Sequence, residues 1–145
     1  PSDYIEQFVD AGADTLIIHT EASKDIKSDL QKIRNLGIKC GLAIKPKTNE
    51  SILLKYLDLL DYVLVMSVEP GFGGQSFIDN SLLKMKNIVK MVSGKKILIG
   101  VDGGVNIKTI DRVYETGIDV TIVGSGLYKS KSISKTYKQL MNEHS

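Results

Sequence analysis

Apolar residues fall into two alternating patterns along the chain. In one they recur every three or four positions, the period of a helix with a single buried face: Ile5, Phe8, Val9; Ile26, Leu30, Ile33; Leu53, Tyr56, Leu57, Leu60. The same spacing returns in Leu82, Met85, Ile88, Val92, in Ile107, Ile110, Val113, Tyr114, and in Ile133, Tyr137, Leu140, Met141. Between these lie short continuous apolar runs, TLIIH, IKCGLAI, YVLVMSV, KILIGV and VTIVG. Runs apolar on both faces suit strands covered on both sides, as in a parallel sheet. Three junctions, AGAD, NLGIK and ETGID, place Gly12, Gly37 and Gly117 where a helix would end in a left-handed cap before the next strand.

The pattern predicts five successive βα units with a helix in front, in one domain over residues 1–145. The strands are expected to begin near residues 14, 38, 61, 96 and 118, an even repeat except for the third unit, which is about 11 residues longer. Repeated βα units build either a doubly wound sheet or a (β/α)8 barrel. The even repeat favours the barrel, but a barrel needs eight strands and typically about 200 residues or more. Five strands are too few.

Composition narrows the function classes. Nineteen basic and seventeen acidic residues nearly cancel, so no nucleic acid or anionic membrane is expected as partner. The C-terminal lysines 129, 131, 135 and 138 read as the solvated face of a last helix. The lone cysteine, Cys40, rules out an internal disulfide framework and suits a reducing, cytoplasmic setting. No stretch is apolar enough to suggest a membrane span.

In α/β folds of either kind, chemistry gathers where strands end. Those ends carry His19 with Glu21, Lys45-Pro46, Ser67 with Glu69, Asp102-Gly103-Gly104 and Gly124-Ser125-Gly126. The last three are rich in glycine, and the added length of the third unit is the segment GFGGQSF. Glycine-rich turns opening onto helices expose backbone N–H groups to an anion, so a phosphorylated small molecule is the expected ligand. GSGLYKS resembles the phosphate site that many barrels build from a late loop and a short extra helix. Asp102 ends an apolar run just before two glycines, and Asn106 is the better N-cap for a helix starting at Ile107. Asp102 is therefore read as an acid/base group or metal ligand. His19 is open to a packing or a functional role, Glu69 could pair with Lys45, and Met66 reads as core by periodicity.

The string VLVMSVEPGFGGQSF, followed by GVDGGVN and VGSGLY and preceded by HTEAS and GLAIKPKT, resembles the ribulose-phosphate 3-epimerase family nearly end to end. Ser67 stands where threonine is usual, Lys47 where glycine is common and Gly126 where alanine is frequent. The resemblance implies a (β/α)8 TIM barrel of the ribulose-phosphate-binding type, here incomplete, with strands four to eight present and the first three βα units lacking. It implies interconversion of D-ribulose 5-phosphate and D-xylulose 5-phosphate in the pentose phosphate pathway. Two aspartates on opposite faces of C3 would move the proton, and a divalent metal ion (zinc, iron, manganese or cobalt) would stabilise the enediolate.

By the same resemblance Asp102 is a catalytic base and metal ligand. Gly71, Phe72, Gly73, Gly74, Asp102, Gly103, Gly104, Gly124 and Ser125 hold the substrate and its phosphate, Met66 lines the reacting centre, and His19 lies outside the site. The family's remaining metal ligands, a His-x-Asp and a histidine on earlier strands, have no counterpart in these residues. The chain alone is therefore expected to be inactive, with an unpaired apolar edge on its first strand, and the complete protein is expected to be a homo-oligomer. Two alternatives stay open: an epimerase of a six-carbon ketose phosphate such as allulose 6-phosphate, and a non-catalytic phosphate-binding fragment.

Overall fold

Residues 1–68 and 80–142 are described in the computed structural model of the chain. Each continuous apolar run forms a strand: β1 (Thr15–His19), β2 (Lys39–Ile44), β3 (Tyr62–Met66), β4 (Leu98–Asp102) and β5 (Val120–Ile122). The helical periodicities become α1 (Ile5–Asp10), α2 (Ile26–Asn35), α3 (Asn80–Met91), α4 (Ile110–Tyr114), the short α5 (Ser125–Tyr128) and α6 (Ile133–Asn142). In α2, Asp25 caps the first turn by accepting from the Ser28 N–H at 3.0 Å, and Lys32 and Arg34 sit in the last turn, where the helix dipole favours cations. Gly12, Gly37 and Gly117 all have φ between 82° and 96°, the left-handed geometry expected at the helix ends.

Two helices depart from the periodicity. The stretch containing Leu53 to Leu60 winds as two 3-10 segments, Glu50–Lys55 and Leu57–Leu59, and not as one α-helix. Tyr56 lies between them at φ −128°, ψ 0°, outside the helical region, and the tighter turns still bury Leu53 and Leu60. The helix expected from Ile107 begins at Ile110. Asn106 does cap the preceding turn, its side chain accepting from the Lys108 N–H at 2.9 Å, but that turn is not yet α-helical.

All five strands are parallel, and their order in the sheet is their order in the chain, β1-β2-β3-β4-β5. A doubly wound sheet reverses direction at a switch point; this one never does, which is the wall of a barrel. Among the described residues β1 and β5 are each paired on one side only, so the open edge expected on the first strand is present.

Alternate residues separate the two faces. Leu42, Val63, Val65 and Val101 are fully buried against a helical layer that contributes Leu30, Ile33, Met85 and Ile88. The opposite, inner face carries Ile17, Gly41, Tyr62, Leu64, Met66, Gly100 and Asp102 in lateral register. Near the strand starts this face borders a hollow of about 540 Å³ lined in part by Thr15, Ile17, Tyr62 and Leu98. A methyl group on Gly100 would stand 2.9 Å from the Tyr62 ring, so that glycine makes room for the tyrosine.

The starts of two strands share one device. Asp61, just before β3, donates its backbone N–H to the Cys40 carbonyl at 2.9 Å, and its carboxylate takes the Cys40 N–H at 3.0 Å. Asp119, just before β5, accepts the Ile99 N–H at 2.7 Å in the same way. In both cases the carboxylate fastens the second residue of the neighbouring strand.

Candidate active site at the C-terminal ends of the strands

Met66 and Asp102 end β3 and β4 and are paired in register, so their side chains stand side by side on the inner face. Met66 is buried and Asp102 half-buried, which leaves the carboxylate reachable from the mouth of the sheet. The backbone behind Asp102 is tied to Ser67, a residue with no exposed surface. The Ser67 N–H donates to the Asp102 carbonyl at 2.9 Å, and its hydroxyl donates to the carbonyls of Asp102, at 3.1 Å, and of Gly103. Gly103 and Gly104 follow with φ of 114° and 64°, a turn that residues with a Cβ rarely adopt. The Asn106 side chain closes it by donating to the Gly104 carbonyl at 3.0 Å.

Gly124 is the N-cap of α5, and Ser125 is that helix's first residue, as the expected short extra helix requires. No described residue lies within 4 Å of where a Cβ on Gly124 would stand, so packing among the described residues does not demand the glycine there. Gly71, Phe72, Gly73 and Gly74 lie outside the described residues, as does Glu69 with its suggested pairing to Lys45.

The loop after β2 is held by Glu21. Glu21 accepts from the Lys45 N–H at 3.1 Å and from the Thr48 hydroxyl. Burial alone would raise the Glu21 carboxyl, but these hydrogen bonds outweigh it and hold the group below its ordinary range. His19 sits on the inner face with Nδ1 3.7 Å from the Glu21 carboxylate. The same loop is gripped by Lys84 of α3, whose ammonium donates to the carbonyls of Lys45, Pro46 and Thr48 at 3.0, 2.6 and 2.6 Å. Neither this lysine nor the Ser67 clamp stood out in the sequence. A trace of the former is visible: Ser81, Lys84, Met85 and Ile88 share the buried face of α3 at helical spacing.

The sequence model of the Ribulose-phosphate 3 epimerase family matches residues 1–128. The chain belongs to the ribulose-phosphate 3-epimerase family. Curated family relatives agree: the chain is 40% identical over 143 residues to ribulose-phosphate 3-epimerase of Bacillus subtilis, covering 97% of this chain and 66% of that protein. It is 37% identical over 141 residues to the Escherichia coli K12 ribulose-phosphate 3-epimerase, covering 96% and 63%. The chain thus spans just under two thirds of the length of these relatives. Among solved structures, KGPDC from Streptococcus mutans superposes with a TM-score of 0.72 at 15% identity, over 98% of this chain and 65% of that one. A mutant tryptophan synthase alpha-subunit from Pyrococcus furiosus reaches 0.71 at 17% identity, over 97% and 60%. At such identities these likenesses speak for the barrel fold alone.

A divalent metal is the cofactor that membership of the ribulose-phosphate 3-epimerase family implies. Among the described residues no group of three or more His, Cys, Asp and Glu side chains converges to hold one. Asp102 belongs to no such group among the described residues, and a divalent site needs several converging donors. The described residues therefore do not fit a complete metal site. No helix among them is long and apolar enough to cross a membrane.

Proposed function

We propose that the full-length protein interconverts D-ribulose 5-phosphate and D-xylulose 5-phosphate, with Asp102 moving a proton at C3. The observation that carries this reading is the placement of Asp102 in a family member: at a strand end, on the inner face, beside Met66, on a turn pinned from behind by Ser67. A general base must be accessible; Asp102 is only half-buried, and the backbone that carries it is held by Ser67.

Epimerisation at C3 removes the proton from one face of the sugar and returns it on the other, so one carboxylate serves half of the reaction. The other half needs a second acid/base group on the far side of C3, which the family resemblance assigns to a His-x-Asp with no counterpart in residues 1–145. Residues 1–145 by themselves are accordingly proposed to be inactive, and catalysis to belong to the longer protein. The phosphate is proposed to lie between the Gly103-Gly104 turn, the start of α5 at Gly124 and Ser125, and the segment Gly71 to Gly74, with Phe72 against the sugar. A homo-oligomer and a cytoplasmic setting complete the proposal.

The test is Asp102→Asn in the full-length protein. C3 hydrogen exchange with solvent should fall by about 10²-fold or more, while binding of the sugar phosphate is retained. An unaltered exchange rate would refute the assignment. Running D-ribulose 5-phosphate beside allulose 6-phosphate separates the five-carbon from the six-carbon substrate, because only the length of the pocket distinguishes them.

A further inference from the structure

Lys84 is the least expected buried group in the chain. It retains 8% of its exposure on the inward face of α3, and its three N–H donors reach three backbone carbonyls of one short turn. Burial pulls the ammonium below its ordinary 10.5, partly offset by the charges of Glu50 and Glu21. Holding a charge there costs free energy, and the turn has bonds of its own besides. Carbonyls of a rim turn are satisfied by water, and this turn already has the Thr48 N–H bond to the Lys45 carbonyl at 3.1 Å and two bonds to Glu21.

What the charge does achieve is a fixed relation between two parts of the candidate site. The turn directly continues β2, whose Ile44 pairs with Val65, so Lys45 comes level with Met66. Lys84 itself lies in the second turn of the helix that follows the segment carrying Gly71 to Gly74. One ammonium therefore ties the rim beside Met66 to the helix behind the glycine segment.

We propose that Lys84 is a positioning residue of the epimerase site, a built-in cation in a cage of three carbonyls that sets the width of the sugar-phosphate pocket. The proposal rests on the function proposed above. It is tested in the full-length protein with Lys84→Ala, assayed for kcat and KM alone, with n-propylammonium and with n-propanol. The two additives return the missing side chain with and without its charge. The expected result is a loss in kcat/KM of about tenfold or more, restored several-fold by n-propylammonium and not by n-propanol. An unaltered kcat/KM, or equal rescue by both additives, would overturn the proposal. Lys84→Gln, which keeps two donors, takes its place if the alanine variant does not fold. Amide exchange at Thr48 supplies a readout independent of turnover: it should quicken in the variant and slow again with n-propylammonium, and unchanged exchange overturns the clamp. If the unsubstituted protein shows no epimerase activity, the functional reading fails and the pocket role with it, while Thr48 exchange still decides whether Lys84 holds the turn.

Discussion

Gly103 offers a measurement in which the strain of a turn and the crowding around it can be separated. At φ 114°, any Cβ at this position costs strain of about 1–3 kcal/mol. The added methyl would also overlap Val68 Cγ2 and stand 3.0 Å from the Val68 nitrogen and 3.2 Å from the Ser67 hydroxyl. Backbone cannot move aside cheaply, so crowding adds about 1–3 kcal/mol. Gly94 is the control: its φ is 79°, yet no described residue lies within 4 Å of a Cβ built there. Gly94→Ala should therefore show the left-handed strain alone, about 1–2 kcal/mol. Urea unfolding of the full-length protein and both variants, at one protein concentration and with a common slope, gives the comparison. Gly103→Ala should be the less stable by about 1–3 kcal/mol, and it alone should lower kcat, because it displaces the residue that follows Asp102. Equal midpoints for the two variants would refute the reasoning, since the crowding would then be absent.

Three further outcomes are expected. Ser67→Ala removes the hydroxyl bonds to the Asp102 and Gly103 carbonyls and should cost about 0.5–1.5 kcal/mol of stability, with kcat falling more than KM changes and Ser67→Thr retaining the rate. Glu21, held below its ordinary 4.5, stabilises the fold fully above that value, and the contribution disappears as pH falls through the lower folded value. Acid unfolding of Glu21→Gln should accordingly be shallower across that window, and an identical acid limb would count against the hydrogen bonds from Thr48 and Lys45. Cys40 is fully buried, with its thiol pushed up by burial and then by the charge of Asp61, so a thiol reagent should label it only after denaturation.

Much of the architecture was legible because it depends on local spacing. A run such as YVLVM reads as a strand wherever both faces are covered, and Gly12, Gly37 and Gly117 mark helix ends through a backbone requirement of their own. The position of Asp102 at a strand end was legible for a similar reason, as a carboxylate between an apolar run and two glycines. The strand order was not, since an even repeat favours a barrel but only the hydrogen-bonded ladder excludes a switch point. The 3-10 segments were hidden too: Leu53 and Leu60 satisfy an α-helical period while Tyr56 breaks the helix between them. Lys84 shows the limit most clearly. By type it belongs on a solvated face, and its partners lie 36 to 39 residues away along the chain, where no periodicity reaches.

The carboxylates of Asp61 and Asp119 bear on how such a sheet can change over time. Parallel strands slip by two residues without exchanging their faces, so burial alone does not forbid a shifted register. A side chain that grips one particular amide at the start of the neighbouring strand does forbid it. With alignment secured at that end, loops at the far end are free to grow, shrink or trade residues without dragging the strands out of step. The third unit, about 11 residues longer than its neighbours, follows the strand that Asp61 introduces. Tolerance of insertion at the chemical end is thus written into two aspartates at the other.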